Sequence, residues 1–199
     1  WRRFGKLQPI WADAAPLTAE QMDILVKSFL DEKGQKRVEE IGDADYAYEN
    51  PNARFRASVV RQRLGKEIVF RIIETTIRTM DELKLPKEFL TPLCRYHNGL
   101  ILVTGSVGSG KSTTMAAMTR CHLENRTRSR KIVDLQAPIE YTFRDINTDA
   151  ADVASFISQS EIGVGRNIPT FAEGVRAAMR RAPAVINVGE SRDRESMEA

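Results

Sequence analysis

Length, composition and charge describe an ordinary globular chain. It has 199 residues, 42 % hydrophobic and 29 % charged, which excludes the intrinsically disordered and fibrous classes. Its net charge of +3 is too small to indicate a nucleic-acid partner. No apolar run approaches the roughly 20 residues that a membrane-spanning helix needs, and no stretch has the pattern of a secretory signal. We therefore expect a cytosolic protein, or one that is peripheral to a membrane.

The first part of the chain predicts a small module that mixes strands with helices. Residues 1–11 have the pattern of a hairpin that turns at Gly5 and Lys6. A helix is expected after Thr18, because Thr18 and Gln21 have the spacing of a capping box, and Gly34 is expected to end it. A second short helix is predicted at residues 35–41. Three strands follow, which makes this an α+β module with antiparallel pairing; they are expected at residues 45–49, 54–62 and 67–73.

A segment with two prolines separates this module from the rest. Residues 75–92 contain Pro86 and Pro92 and have weak periodicity, so we interpret them as a linker between two domains. Beyond residue 93, apolar strands alternate with helices, which predicts a parallel sheet with crossover helices. The strands are expected at residues 100–104, 131–135 and 184–188, and the helices at residues 113–124, 151–159 and 170–181.

The last of these helices has a clear beginning. Thr170 and Glu173 have the spacing of a second capping box. The apolar residues that follow recur with helical periodicity, so one face of the helix is predicted to be buried. That face consists of Phe171, Val175, Ala178 and Met179.

The two cysteines of the chain, Cys94 and Cys121, are far apart in sequence and form no CxxC or metal-binding pattern. His97 and His122 also lack the spacing of metal ligands. We expect both thiols to be buried and reduced, as in a protein of a reducing compartment.

A glycine loop lies between the first strand and the first helix of the second half. In LVTGSVGSGKSTTMAAM, Gly105 and Gly110 are separated by four residues and followed by Lys111 and Ser112, the Walker A spacing. Such glycines let backbone N–H groups point at phosphate oxygens, and the helix N terminus adds positive charge. Lys111 would contact the terminal phosphates, and Ser112 would bind Mg²⁺. We predict a nucleoside triphosphate site formed by Gly105, Ser106, Val107, Gly108, Ser109, Gly110, Lys111, Ser112 and Thr113.

Two glutamates are candidates for orienting or activating water. Glu190 follows the strand predicted at residues 184–188, and Glu140 lies shortly beyond the strand that ends at residue 135. The carboxyl ends of parallel strands meet at one edge of a sheet, where ligands of open α/β sheets bind. A carboxylate there can act as a general base, so Glu190 and Glu140 are the candidate catalytic residues.

Three blocks of the chain together resemble a known family. The series GSVGSGKSTT, IVDLQAPIEYTF and SQSEIGVGR to INVGESRDRES resembles the secretion and pilus-motor ATPases of type II secretion, pilus retraction and type IV secretion. The sequence APIE in the second block is most similar to that of the branch that serves type IVB secretion and conjugation, the DotB- and TraJ-like ATPases. The front half resembles the N-terminal PAS-like domain of that family. The resemblance implies a PAS-like domain at residues 1–78, a linker at 79–92 and a RecA-like ATPase domain at 93–199, with both ends incomplete.

The resemblance also implies how the motor works. ATP and Mg²⁺ are expected to bind in a homo-hexameric ring, between the two domains of a subunit. By motif position, Arg56 and Arg71 match the arginines that reach the γ-phosphate, where a guanidinium stabilises the developing charge. The ring would be cytoplasmic and would work with secretion or pilus components at the face of the bacterial inner membrane.

The chain departs from the family pattern at three positions. Gln136 and Ala137 stand where many members have Glu-Asp, and Ala184 stands where an Asp usually begins the strand. These losses remove carboxylates near the metal, so a nucleotide-binding assembly subunit with weak or no hydrolysis is the alternative function. A GTPase switch is excluded because neither Asp-x-x-Gly nor Asn-Lys-x-Asp follows Lys111. A small-molecule kinase would leave the N-terminal module without a purpose.

Overall fold

The structure is a computed structural model that describes residues 2–3, 6–7, 13, 15–50, 53–74, 76–125, 127–144, 146, 155–163 and 165–190. The chain folds as two compact units. The first consists of Trp1–Tyr46 and Ala57–Phe70, and the second consists of Ala47–Arg56 and Arg71–Ala199.

The first unit begins with an antiparallel pair, β1 (Arg2–Arg3) and β2 (Lys6–Leu7), as predicted for residues 1–11. Of the expected turn residues, Lys6 begins β2 instead, and Gly5 lies outside the described residues. Helix α1 (Ala19–Phe29) has the predicted capping box. In it, the Thr18 hydroxyl accepts a bond from the backbone N–H of Gln21, and the Gln21 side chain accepts one from the backbone N–H of Thr18.

The predicted end of this helix at Gly34 is wrong. Helix α1 ends at Phe29, and Gly34 lies inside α2 (Glu32–Glu40). The reason is the cap: the Asp31 carboxylate accepts a 2.7 Å hydrogen bond from the Gly34 backbone N–H, which starts a new helix at this point.

Three strands follow, as predicted, in a sheet of order β3-β4-β5. Each is slightly longer than its sequence pattern indicated, because strands are defined by their hydrogen-bonded partners as well as by their own side chains. Their bounds are β3 (Asp43–Asn50), β4 (Ala53–Gln62) and β5 (Gly65–Ile73).

The second unit contains the predicted parallel sheet. Its strand order is β7-β6-β8, and β6 pairs in parallel with both neighbours. Ile132, Val133 and Leu135 of the central strand have no solvent exposure and form the core of the unit. The elements are α3 (Lys87–Leu93), α4 (Lys111–Leu123), β6 (Lys131–Gln136), β7 (Phe156–Glu161), α5 (Phe171–Met179) and β8 (Val185–Val188).

Two elements of this unit differ from the prediction. Residues 156–161 form strand β7 instead of the end of a helix at 151–159, because six consecutive residues pair with β6; residues 151–154 lie outside the described ranges. Residues 100–104 are not a strand, and Leu100 and Leu102 are 82 % and 75 % exposed. No described strand lies beside that segment, and an apolar run without ladder hydrogen bonds does not form a strand.

Helix α5 has the predicted cap but a different buried face. The Thr170 hydroxyl accepts a 3.2 Å bond from the Glu173 backbone N–H. Ala178 is buried as expected, whereas Met179 is 66 % exposed, so its predicted place in the core is wrong. The helix lies so close to β6 that a Cβ at Gly174 would come within 3.0 Å of the Leu135 side chain, and the small residues therefore face the sheet. None of the described helices is long and apolar enough to cross a membrane.

Candidate nucleotide-binding site

The glycine loop folds around its own lysine. The Lys111 ammonium donates hydrogen bonds to the carbonyl oxygens of Gly105 at 2.9 Å and Ser106 at 2.8 Å. Lys111 is the first residue of α4, so its charge lies at the positive end of that helix. The Lys111 ammonium and the helix N terminus together place positive charge beside the glycine loop.

Two glycines of the loop have roles that other residues would not fill. Gly110 has φ of +94° and forms the N-cap of α4, a conformation that favours glycine. A Cβ at Gly105 would lie 2.7 Å from the Ser109 hydroxyl. No described side chain caps the N terminus of α4, so its first N–H groups are available to an anion.

A small cleft joins this loop to the edge of the parallel sheet. Its volume is ≈ 20 Å³, which accommodates one water molecule when polar groups surround it. The polar side chains come from three elements of the second unit and from the segment after β6. The polar lining residues are Ser112, Thr119, Asp134, Gln136, Glu140, Tyr141 and Asn187.

Glu140 lies between this cleft and two arginines of the same unit. The Arg56 Nη1 atom is 3.8 Å from the Glu140 carboxylate, and both side chains are about one-quarter exposed, at 24 % and 25 %. Arg54 is buried and donates a 3.2 Å hydrogen bond to the Glu140 carbonyl oxygen. Arg71 is exposed on β5 and does not line the cleft. The structure therefore brings Arg56 and Glu140 together, and Arg71 lies on β5, the strand beside the one that carries Arg56.

Glu190 comes directly after β8 and is half-buried. The preceding Gly189 donates a backbone hydrogen bond of 2.8 Å to the Leu135 carbonyl oxygen, which extends the pairing of β8 with β6. A Cβ at position 189 would lie 2.6 Å from the Gln136 side-chain oxygen. A side chain at position 189 would require the Gln136 side chain to shift.

A row of three polar residues crosses the sheet beneath the cleft. Asp134 of β6 lies opposite Gln159 of β7 and Asn187 of β8. Its carboxylate accepts hydrogen bonds from Gln159 at 2.8 Å and from Gln136 at 2.9 Å. Asp134 is only 2 % exposed, so burial raises the pKa of its carboxyl group, although the amides of Gln136, Gln159 and Asn187 act in the opposite direction.

The polar row accounts for the amide in β8. Asn187 also donates a 2.8 Å hydrogen bond to the Thr119 hydroxyl on α4, so it joins the sheet to the helix that begins at Lys111. Thr113 and Tyr141 make a second link of this kind through a 3.0 Å hydrogen bond between their hydroxyl groups.

Sequence reasoning missed Asp134, Gln159, Asn187 and Arg54 as site residues. A signal existed for two of them, since Asp134 and Asn187 are polar residues within strands that are otherwise aliphatic. A buried polar residue needs a hydrogen-bond partner, so two such residues in neighbouring parallel strands predict each other. Arg54 and Gln159 carry no comparable signal, because their partners lie in distant segments.

The residues present are compatible with a magnesium nucleotide. No group of three His, Cys, Asp or Glu side chains that could hold a metal ion occurs among the described residues. Mg²⁺ in phosphate sites needs no such cage, because it is bound by one or two protein oxygens together with substrate phosphates and water. The exposed Ser112 hydroxyl in the first turn of α4 is suited to that role.

The chain has counterparts among known proteins. A family model described as "Type II/IV secretion system protein" matches residues 21–199. The type IV pilus retraction ATPase PilT of Pseudomonas aeruginosa is 36 % identical over 92 % of this chain and 50 % of its own length. The chain is thus homologous to pilus retraction and secretion ATPases.

Two solved structures share the mixed α/β fold with its parallel sheet. A structure of the pilus retraction motor PilT with bound ADP has a TM-score of 0.82 and 38 % identity, and the match covers 99 % of this chain and 54 % of that one. The Legionella pneumophila ATPase DotB has a TM-score of 0.78 and 31 % identity, covering 98 % of this chain and 52 % of its own. The chain spans about half the length of the curated relatives it matches. It belongs to the Type II/IV secretion system protein family.

Proposed function

We propose that this chain is part of a motor ATPase that hydrolyses ATP to drive protein secretion, conjugative transfer or pilus dynamics. The observation that carries the proposal is the position of the cleft. Its lining includes Ser112 of the glycine loop and Glu140 of the sheet edge. A hydroxyl group that can bind Mg²⁺ and a carboxylate that can activate water therefore face the same cleft.

Each residue of the site has a role in this proposal. The amides of residues 105–113 and the Lys111 ammonium hold the phosphates, and Ser112 holds Mg²⁺, which supplies charge neutralisation when it is bound. Glu190 is the general base or water-positioning residue, with Glu140 as the second candidate. Arg56 and Arg71 stabilise charge on the γ-phosphoryl oxygens.

The assembly is proposed from the family. Residues 1–78 form a PAS-like domain, residues 79–92 a linker and residues 93–199 a RecA-like ATPase domain of a longer protein. Six subunits form a ring in the cytoplasm, against inner-membrane components of a secretion or pilus system. The choice of cargo depends on surfaces that carry no sequence motif, so the same ATPase site is compatible with transport of protein, pilin or DNA.

A nucleotide-binding assembly subunit with weak or no hydrolysis is the second candidate. It is favoured by the region around Gln136, where the amide donates to Asp134 and the next residue, Ala137, carries no carboxylate. Hydrolysis then depends on Glu140 and Glu190 alone.

One experiment decides between these functions. Phosphate release and nucleotide binding are measured on the full-length protein, on Lys111→Ala and on the control Lys131→Ala, whose lysine is exposed at the start of β6. We expect Lys111→Ala to lose binding or turnover, because the charge on the terminal phosphates is gone, and Lys131→Ala to behave as wild type. Wild type that binds ATP without turnover supports the assembly subunit. Equal turnover in Lys111→Ala contradicts the phosphate-loop assignment.

A further inference from the structure

A second and larger cavity lies in the same unit, near the C-terminal end of α4. Its volume is ≈ 620 Å³, and both cysteines of the chain line it. Its walls come from residues around α3 and from the last turns of α4 with the loop that follows. They include Met80, Thr91, Cys94, Ala117, Cys121 and Glu124.

The two thiols are neighbours in space. Cys94 follows α3 directly, is 4 % exposed, and has its Sγ atom 4.0 Å from the Met118 carbonyl oxygen. Met118 precedes Cys121 by about one turn of α4, and Cys121 packs against the buried cluster that contains Cys94 and Met118, so the two thiols lie side by side. Cys121 is half-buried, so the cavity gives small molecules access to its sulfur.

We propose that Cys94 and Cys121 form a thiol–disulfide exchange site, at which a small-molecule disulfide entering the cavity converts the two thiols to an intramolecular disulfide.

The two sulfurs have different roles in this reaction. The Cys121 thiolate attacks one sulfur of the reagent, whose S–S bond breaks and releases one thiolate. The Cys94 thiol then gives up its proton and attacks the Cys121 sulfur of the mixed disulfide, and the second reagent thiolate leaves. The protein loses two thiol hydrogens, and the reagent is reduced by two electrons to two thiols.

The surroundings of the pair assign these roles. The adjacent Cys94 thiol is the largest cause that lowers the pKa of Cys121 to about 7, and the charges of Lys87 and Arg95 add to it. Burial and the Glu124 carboxylate act in the opposite direction. The neighbouring Cys121 and burial raise the pKa of Cys94 above its usual range. Cys121 is therefore the nucleophile and Cys94 the second thiol.

Other charges of the cavity are held in ion pairs. Asp81 pairs with Lys87, and Arg120 pairs with Glu124. Arg128 also lines the cavity and donates to the Arg95 carbonyl oxygen. The pKa of Cys121 is lowered to about 7, so the pH dependence of the site near pH 7 is expected to come from Cys121 itself.

The first test uses oxidised glutathione on the full-length protein, followed by trypsin under non-reducing conditions and mass spectrometry. Trypsin places Cys94 on peptide 88–95 and Cys121 on peptide 121–126. We expect wild type to give these two peptides joined by a disulfide. Cys94→Ala should give a glutathione adduct on peptide 121–126, and Cys121→Ala should leave Cys94 reduced.

Two results overturn the proposal. One is a stable glutathione adduct on Cys121 of wild type with no joined peptides. The other is modification of Cys94 in Cys121→Ala at the rate seen for Cys121 in Cys94→Ala. Retained nucleotide binding in each variant shows that the fold has survived.

A second test measures the rate of Cys121 alkylation by iodoacetamide against pH. In wild type, the rate should be half-maximal near pH 7. In Cys94→Ala, the midpoint should move towards the ordinary thiol value of about 8.5, with a roughly tenfold lower rate at pH 7. Cys94→Ser keeps a hydroxyl donor and should shift less. An unchanged midpoint in Cys94→Ala means that Cys94 does not activate Cys121 and overturns the assignment.

Discussion

The two ends of helix α4 make different kinds of site. At Lys111, consecutive residues of one loop bring backbone N–H groups and an ammonium group to the helix N terminus. At Cys121 and His122, the surroundings come from side chains of distant segments, among them Cys94 and Arg130. A site made of backbone can be recognised from its local sequence, and a site made of assembled side chains cannot.

Charge also behaves differently at the two ends. A helix C terminus favours a cationic imidazole. The pKa of His122 is nevertheless lowered to about 4, first by burial and then by the charge of Arg130. Desolvation therefore exceeds the helix dipole at the C-terminal end, whereas at the loop the dipole and Lys111 act in the same direction.

The largest effect is expected from Glu190→Gln, which changes the site at the N-terminal end of α4 and leaves the C-terminal end unchanged. The full-length variant should retain ATP binding and lose turnover by roughly a hundredfold or more, as when a general base or water-positioning residue is removed. Phosphate release and nucleotide binding measure this. Alkylation of Cys121 in the same variant should be unchanged if the two ends are independent.

Glu140→Gln is the matched comparison for that experiment. Normal hydrolysis in Glu190→Gln together with a large loss in Glu140→Gln would transfer the catalytic role to the carboxylate beside Arg56. A large loss in both variants would mean that the two carboxylates act as a unit.

A loss of roughly tenfold or more in turnover is expected for Arg56→Ala, and likewise for Arg71→Ala, with nucleotide binding within about tenfold of wild type. The reason is that Lys111 and the loop amides still hold the phosphates, whereas the guanidinium acts mainly in the transition state. Arg61→Ala is the control. Arg61 lies on the same strand as Arg56 but belongs to the first unit, where it donates to the Glu39 carbonyl oxygen. Unchanged turnover in Arg56→Ala would restrict its role to the ion pair with Glu140.

The free energy of unfolding should depend on pH through His122, at the C-terminal end of α4. Below the unfolded pKa of about 6.5, His122 takes up a proton in the unfolded state and stays neutral in the folded state until about pH 4. Stability is therefore lost as the pH falls through this window, on the order of 2 kcal/mol after allowance for solvent screening. Denaturant unfolding at several pH values measures it.

His122→Gln should flatten this dependence, and His97→Gln, with an exposed imidazole, should not. The same pH slope in both variants would show that carboxyl groups, and not His122, determine the dependence.

The smallest effect is expected in the middle of the helix. Thr119→Val removes the acceptor of the Asn187 amide, and should lower the free energy of unfolding by about 1 kcal/mol. Asn187→Leu should cost less stability in the Thr119→Val background than in wild type, because its hydrogen bond to Thr119 is already absent there. A double-mutant cycle measures the coupling. Additive losses would contradict the link between β8 and α4.

Elements whose stabilising contacts are local were predicted from the sequence. Helices α1 and α5 begin where Thr18 and Thr170 indicated, because a capping box spans four residues. Strand β7 was mistaken for a helix, because its stabilisation comes from the ladder with β6 and not from its own periodicity. Gly34 was predicted as a helix end, because a glycine often ends a helix; here the Asp31 cap begins a second helix that contains Gly34.

The candidate site divides in the same way. The glycine loop can be recognised from sequence because all its residues are contiguous, and its binding of phosphate stays a prediction. Glu140 was predicted from its place after β6, but its arginine neighbour Arg54 and the buried Asp134 were not. Their contacts join residues that are distant in sequence, and nothing in a single segment encodes the partner.

The polar row across the parallel sheet has a consequence for strand register. If β8 slipped by one residue against β6, the Asn187 side chain would turn to the opposite face, and an aliphatic residue would stand opposite Asp134. The hydrogen bond from Asn187 to the Thr119 hydroxyl would be lost as well, and leaving such a buried polar group unsatisfied costs about 1–3 kcal/mol. The slip would also displace Glu190 by about 3.3 Å along the strand. Gln159, Asp134 and Asn187 therefore select a single alignment of the sheet, and that alignment determines how far beyond its edge Glu190 lies.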